Sequence, residues 1–238
     1  MIDFHTHILP GLDDGSSSIE ESIEMLKALA EQKVEAAVLT PHYYSAREPA
    51  AEFLERRERS LEQLEASHTG AVSSAVPSLP KLILGAEVAF YAGMSEDAEI
   101  RKFLIDGTDM LMLEMPFTIW RPPITREVNQ LAAYAGIKPV IAHVERYVAE
   151  PLNLEALEQM IARGAIAQAN AEFFLSRRTR SSAYAMLRSG LIHIFGSDCH
   201  NMGHRKPNMG DLESALRKKL PPSKFAQIAA TSHAILNS

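Results

Sequence analysis

The stretch His5 to Gly15, HTHILPGLDDG, places two imidazoles and two carboxylates around a proline and two glycines. Imidazole and carboxylate bind divalent cations without help from thiolate, and imidazole also moves protons near neutral pH. A lone His-x-His at strand spacing only sets two rings on one face. It carries chemistry when other such residues fall where a fold can gather them. Here they recur at one kind of place: His42 in TPHYY, Glu87 in GAEVAF, Glu114 in MLEMP, His143 with Glu145 and Arg146 in AHVERY, Asn170 in QANAEFF, and Asp198 with His200 in GSDCH. Each closes a short apolar run. An unpaired carboxylate inside apolar surroundings costs roughly several kcal/mol, so Glu87 and Glu114 each need a cation or strong donors.

His5, His7, His42, His143, His200, Glu87, Glu114, Asp198 and one of Asp13 and Asp14 are enough ligands for two or three divalent metal ions sharing carboxylates. Nitrogen and oxygen donors without sulfur suit Mn, Fe, Co or Zn, and the oxygen share leans toward Mn or Fe. Such a site implies hydrolysis of a phosphoester by direct attack of a metal-bound hydroxide, the neighbouring ions neutralising the phosphoryl oxygens. Arg146 and Arg205 fit as phosphate clamps, since a guanidinium fork holds two oxygens at once; their ordinary alternative is a surface salt bridge. His193 in LIHIF lies before the end of its run and reads as structural, and His68 and His233 read as surface residues. His204 follows Asp198 in a loop near the site.

The elements that would position these residues follow one rhythm. Runs rich in Val, Ile and Leu alternate with amphipathic segments, the pattern of a parallel sheet with crossover helices. Seven strands are expected: IDF near 2, AAVLT from 36, KLILGAEV from 81, DMLMLEM from 109, KPVIAHV from 138, AIAQAN from 165 and LIHIFGSD from 191. The fold class is therefore α/β, and in a β/α barrel the active site lies at the C-terminal strand ends, where the metal-type residues fall. Ser18 with Glu21 predicts a capping box ahead of IEESIEMLKAL, and Gly136, Gly164 and Gly190 read as helix terminators. Gly15 is expected to supply the backbone conformation of a tight turn. PAAEFLERRERSLEQLEA reads as a charged helix whose Arg56, Arg57 and Arg59 face solvent among glutamates. The Ser/Pro-rich connection 67–80 shows no domain boundary, so residues 1–238 read as one domain.

The formal charge of -6 argues against a nucleic-acid partner, because that affinity rests on cationic neutralisation of phosphates. Cys199 is the single cysteine, which excludes an internal disulfide and fits a reducing, cytoplasmic setting. The N-terminus has no basic leader, and no apolar run approaches the ~20 residues of a membrane span, so no membrane insertion is expected. A homo-oligomer is compatible with all of this.

HTHILPGLDDG with SSSIEESIEML, TPHYY, GAEVAFY, AHVERY and GSDCHNMGHR resembles the bacterial tyrosine phosphatases of the polymerase and histidinol phosphatase (PHP) superfamily, which accompany capsule and exopolysaccharide synthesis. The likeness covers essentially the whole chain. It implies a distorted, TIM-like (β/α)7 barrel and a three-metal centre, usually with manganese. It also implies a phosphotyrosine protein as substrate, the tail of a bacterial tyrosine kinase. By that resemblance His5, His7, Glu87 and Asp198 hold one metal, Glu87 bridges to a second on Glu114 and His143, and Asp14, His42 and His200 hold the third. The catalytic set it implies is Arg146 and Arg205 on the phosphate together with Asp198 and His200.

Three other readings compete. A histidinol-phosphate or sugar-phosphate monoesterase would share the metal centre and differ in pocket shape. A barrel amidohydrolase also opens with His-x-His, but its usual bridging lysine at the fourth strand end is replaced by Glu114. A non-catalytic metal-binding scaffold is disfavoured because every ligand position is filled. Arg177, Arg178 and Arg180 in FLSRRTRSS fit a solvated loop at least as well as an attractor of acidic phosphopeptide.

CHNMGHR, Cys199 to Arg205, also satisfies the Cys-x5-Arg spacing of the thiolate tyrosine phosphatases. A cysteine between two inward-facing residues of an extended segment points away from them. Cys199→Ser is expected to keep most of the activity while Asp198→Ala is nearly inactive. Loss of activity in the serine variant with fold and metal content unchanged would instead favour a phosphocysteine mechanism.

Overall fold

A computed structural model describes residues 1–68 and 78–236. Its strands are β1 (Ile2–Thr6), β2 (Ala36–Leu39), β3 (His42–Tyr43), β4 (Lys81–Leu84), β5 (Glu87–Ala89), β6 (Met110–Glu114), β7 (Lys138–Ile141), β8 (Ile166–Asn170) and β9 (Ile194–Gly196). The helices are α1 (Ile19–Glu31), α2 (Ala50–His68), α3 (Pro122–Ala135), α4 (Pro151–Ala162), α5 (Ala171–Leu175), α6 (Arg180–Arg188), α7 (Met209–Lys219) and α8 (Pro222–Leu236). Among the described residues no helix is long and apolar enough to cross a membrane. Most of the Ser/Pro-rich connection lies outside the described residues.

All strand pairs are parallel, in the orders β1-β2-β4 and β3-β5-β6-β7-β8-β9. The curl returns on itself where Thr6 bridges Cys199 and the Asp198 N–H donates to His5 O at 2.8 Å. The result is the distorted barrel, with one departure from seven strands. The third expected strand breaks after Leu84 into β4 and β5, and beyond the second, which ends at Leu39, the chain resumes as the short, unexpected β3, giving nine segments. Pro41 has no N–H to continue the ladder. At the second break the Gly85 carbonyl accepts from Arg57 Nη1 at 3.0 Å. Arg57 is therefore buried on α2 and does not share the solvated face expected for it; Arg59 does, paired with Glu55. The breaks redirect the strand ends so that His42 lies in register with Glu87.

Two apolar layers follow from strand alternation. Ile2, Phe4, Val38, Met110, Met112, Val140 and Ile194 fill the inside. Leu39, Leu111, Leu113, Ile141 and Phe195 face outward onto helix residues such as Leu26, Leu29, Leu131 and Leu157. β1 carries one extra residue against β2: Asp3 pairs with Ala37, but Thr6 pairs with Leu39. This bulge shifts the side-chain phase, so that Ile2 and Phe4 pack the interior and His5 and His7 also reach inward beyond them.

Local signals hold with small changes. Ser18 Oγ caps α1 by accepting the Glu21 N–H at 3.3 Å, while the Glu21 carboxylate returns to the N–H and hydroxyl of Ser17, one residue earlier than a capping box requires. Gly136 (φ 61°), Gly164 (φ 99°) and Gly190 (φ 80°) end helices in left-handed conformations. Gly15 has no positive φ; its requirement is space, because a Cβ there would lie 2.2 Å from His7 O. Gly11, at φ 64°, supplies the left-handed turn.

Asp3 fastens the closure and was not singled out in the sequence. Its Oδ1 accepts from Ser197 N–H at 2.8 Å and His5 N–H at 3.3 Å, joining β9 to β1. Burial pushes its pKa up to about 6, against the hydrogen bonds from Ser197 and His5. The folded chain thus holds this proton more tightly than the unfolded chain, so Asp3 erodes stability as pH rises through about 4 to 6. In metal-free protein Asp3→Asn, which keeps the accepting oxygen, is expected to be more stable than the parent at pH 7 by on the order of 1–2 kcal/mol. That advantage should fade by pH 4 in denaturant titrations; an advantage independent of pH would contradict the assignment.

Candidate metal centre

The strand ends deliver their polar side chains to one buried point. His5, His7 and Glu87 are essentially inaccessible, as are His143, Asp198 and His200. Glu87 stands at the middle. Its Oε2 lies 3.2 Å from His5 Nε2, 3.4 Å from His7 Nε2 and 3.0 Å from His42 Nδ1, and its Oε1 lies 2.7 Å from His143 Nε2. Glu114 reaches to 3.8 Å from His143 Nε2. Asp198 Oδ1 lies 3.6 Å from His5 Nε2 and 3.4 Å from His7 Nε2. On the outer side Asp14 Oδ1 stands 3.5 Å from both His42 Nε2 and His200 Nε2. All nine residues expected as ligands are thus gathered. His193 is elsewhere, accepting the Ala167 N–H, and His233 pairs with Glu35.

The backbone is strained to do this. His143 (φ 33°) and Asp198 (φ 54°) both adopt left-handed conformations, at roughly 1–3 kcal/mol each. His143 is held there by its N–H on Gln168 Oε1 at 2.6 Å, and Asp198 by its N–H on His5 O.

A second layer decides which ring nitrogen faces inward. Gln168 Oε1 also meets His5 Nδ1 at 3.3 Å; Asp13 Oδ2 takes His7 Nδ1 at 2.7 Å; Tyr147 OH lies 3.2 Å from His143 Nδ1; and the Asp198 carbonyl accepts from His200 Nδ1 at 2.9 Å. Each leaves Nε2 aimed at the centre, as outer partners of metal-bound histidines do. Asp13 is committed elsewhere too, accepting N–H groups from His42 and Gly15 at 2.9 Å each. Of the two adjacent aspartates it is Asp14 that faces the open side. The loop carrying both is tied to α2, through Arg56 to Leu12 O and Ser60 to Pro10 O.

This geometry suits cations. With Nδ1 donating in both rings, His5 and His7 direct Nε2 lone pairs at each other across 3.1 Å. Glu87 Oε2, His42 Nδ1 and His200 Nε2 are buried without hydrogen-bond partners among the described residues. Lone pairs that converge without hydrogens between them are ligands without an ion or bases without a proton. The charges agree. Burial opposes a charged His5, yet Glu87 and Asp198 outweigh it and raise its pKa; burial likewise opposes an ionised Glu87, and His5 with His143 holds it well below the usual range. Among the described residues three groups are spaced for divalent ions: His7, Asp14, His42 and His200; His5, His7 and Glu87; and His42, Glu87 and Glu114.

At the rim Arg146 Nη2 and Arg205 Nη2 both pair with Asp198, at 2.6 and 2.8 Å. Asn170 Nδ2 donates to the same carboxylate at 2.8 Å. Cys199 is fully buried, and burial pushes its thiol well above the ordinary range, the opposite of what an attacking thiolate needs. Gln168, Asp13 and Tyr147 were missed as positioning residues; only their place one layer behind the histidines identifies them.

The capsular polysaccharide synthesis family CpsB/CapC matches residues 1–236. The chain belongs to the CpsB/CapC family. Curated members similar to it include the tyrosine-protein phosphatase CpsB of Streptococcus pneumoniae, 30% identical over 96% of this chain and 94% of that one. The tyrosine-protein phosphatase YwqE of Bacillus subtilis is 28% identical over 93% of this chain and 87% of that one. A crystal structure from work on YwqE of B. subtilis and CpsB of S. pneumoniae, described as metal-dependent tyrosine phosphatases, superposes with a TM-score of 0.82 at 24% identity, covering 100% of this chain and 95% of that one. The CpsB/CapC barrel is thus shared over its full length.

Asp13 and Asp14 should separate cleanly on substitution. Asp14→Ala, at an exposed side chain, is expected to lower the number of bound ions per chain while leaving the melting temperature in chelator unchanged. Asp13→Ala should lower that temperature, since three donors lose their acceptor, by on the order of 2 kcal/mol of stability. Equal effects of the two on ion content and apo stability would contradict the division of roles.

Proposed function

We propose that this chain is a metal-dependent protein tyrosine phosphatase acting in the cytoplasm on the phosphorylated tail of a polysaccharide-export tyrosine kinase, with residues 1–238 as one catalytic unit. One observation carries the chemistry: a buried multi-carboxylate, multi-imidazole cluster opens beside two arginines. His5, His7, Glu87 and Asp198, then Glu114 and His143, then Asp14, His42 and His200 are assigned as the three ligand groups, with manganese as the metal. The chemistry supplied by ions bound there is acidification of a water toward neutrality and positive charge opposite the phosphoryl oxygens.

The remaining work belongs to side chains. Arg146 and Arg205 are partly exposed at the rim, and each guanidinium carries five N–H donors, so the bond to Asp198 leaves others for phosphate oxygens. Asp198 aims both forks, and Asn170 fixes Asp198. His200 closes the outer side of the cluster, its imidazole kept neutral chiefly because burial pushes its pKa down to about 4.

The rim favours an aryl ester. Phe117 is 64% exposed, follows Glu114 closely in sequence, and lies tilted against Tyr147 with ring centroids 5.2 Å apart. Its loop is anchored: Asn153 accepts the Trp120 N–H at 2.7 Å and donates to Thr118 O at 3.0 Å. Tyr44 lies on another side, 5.4 Å from the His42 ring. The exposed Phe117 ring, backed by the buried Tyr147, offers a phosphotyrosine ring an apolar face. A phenol of pKa about 10 also leaves with less proton assistance than the alcohol of histidinol or a sugar. Exposed aromatics are not what an alkyl phosphate needs.

Chelation should abolish hydrolysis of a phosphotyrosine peptide, and added Mn2+ should restore it. Phe117→Ala should raise KM for that peptide about fivefold, equivalent to ~1 kcal/mol, with kcat nearly unchanged and histidinol phosphate no better a substrate. Faster turnover of histidinol phosphate than of the peptide by the parent would overturn the substrate assignment; full activity in metal-free protein would overturn the mechanism.

A further inference from the structure

Away from the cluster, the wall formed by α6 and α7 carries cations without partners. Arg180 and Arg188 stand at the two ends of α6, and Lys218 and Lys219 in the last turn of α7. None of the four has a carboxylate within ion-pair distance among the described residues. Neighbouring Arg217 shows the usual alternative, paired with Glu213 at 2.7 Å and stacked over Phe225. The chain as a whole carries a formal charge of -6, so leaving four cations unpaired on one face runs against its average.

These residues line two adjoining depressions of about 430 and 260 Å³ that share Arg180, Tyr184 and Lys219. The larger one shares Leu175 and Asp211 with a third, of about 520 Å³, whose far wall is Arg146, Asp198 and Arg205. The three depressions therefore adjoin in series, a track from the rim that carries Arg146 and Arg205 to the basic wall. Tyr184 adds an independent sign. The residue is 8% exposed, and its hydroxyl is buried with no hydrogen-bond partner among the described residues. A buried donor without an acceptor costs about 1–3 kcal/mol, and here it lies within the field of the Arg180 charge.

We propose that this track is a substrate subsite that receives an acidic peptide segment flanking the scissile phosphotyrosine, its carboxylates meeting Arg180, Arg188, Lys219 and the Tyr184 hydroxyl. The proposal rests on the phosphatase reading and specifies its substrate as an acidic-flanked phosphopeptide. An extended chain fits better than a single anion. The nine residues of α6 span about 13 Å, the reach of roughly four extended residues. Arg177 and Arg178 line none of these depressions; of the three loop arginines, Arg180 alone faces the track.

The test uses the intact chain, a phosphotyrosine peptide with flanking Asp and Glu, the same peptide with Asn and Gln, its unphosphorylated acidic form, and a small aryl phosphate. The acidic peptide should show a KM at least about tenfold below that of the neutral one at low salt, the gap narrowing at high salt. Arg180→Glu, Arg188→Glu and Lys219→Glu combined, all at exposed positions, should erase the gap and leave turnover of the aryl phosphate unchanged. Tyr184→Phe should raise KM for the acidic peptide two- to threefold without changing kcat. Fluorescence anisotropy of the unphosphorylated acidic peptide tests the track apart from catalysis, with saturable, salt-sensitive binding expected and lost on charge reversal. Such binding with no hydrolysis of any phosphotyrosine peptide would uphold the track and remove the phosphatase reading. Equal KM for acidic and neutral peptides, equal loss on the aryl phosphate, or tighter binding of an RNA oligonucleotide than of the peptide would overturn the proposal.

Discussion

Everything in this barrel is arranged around one carboxylate that has no business being ionised where it is. Glu87 is 1% exposed, and its two oxygens stand within 3.4 Å of four imidazole nitrogens. Removing a carboxylate from water costs several kcal/mol unless cations replace the lost hydration. The histidines alone do not settle the account, because their outer nitrogens are already engaged in ways that turn lone pairs toward the centre. Positive charge must enter from outside the chain, as protons or as divalent ions. The first would make a static cluster; the second makes a Lewis-acid site.

The fold contributes three local devices to that end. A bulge in β1 lets one strand fill the core with Phe4 and still present His5 and His7. The breaks after Leu39 and Leu84 bend two strands toward the mouth and bring His42 beside Glu87. Left-handed backbone at His143 and Asp198 turns two more side chains inward. Each device removes ladder hydrogen bonds or adds strain, and each is offset by a specific buried side chain: Asp3 at the closure, Arg57 on the Gly85 carbonyl, and Gln168 behind His143.

The ligand constellation was legible in the sequence because a parallel barrel converts equivalent strand-end positions into one place, so recurrence of His, Glu and Asp after apolar runs is itself geometric information. What was illegible depends on direction rather than position. Asp13 and Asp14 are adjacent, and only the loop's path over α2 shows that the first orients His7 while the second faces the opening. Gln168 and Asp3 lie inside strands, where a polar residue has no sequence signature separating a staple from a surface position. Arg57 reads like its neighbours Arg56 and Arg59 because the carbonyl it satisfies belongs to a break thirty residues downstream, roughly, that alternation does not reveal. Gly15 was assigned to a glycine position for the wrong physical reason: close approach to His7 O excludes a Cβ at ordinary φ.

The account stands on Glu87 joining ion sites rather than merely neutralising histidines. The most direct measurement is the number of Mn2+ ions retained per chain after gel filtration, in the parent and in Glu87→Gln, by elemental analysis. The account predicts two or three ions in the parent and a loss of more than one in the variant, because an isosteric amide keeps the shape but cannot bridge. Retention of the parent's full complement by Glu87→Gln, or a parent that binds no divalent ion, would contradict it.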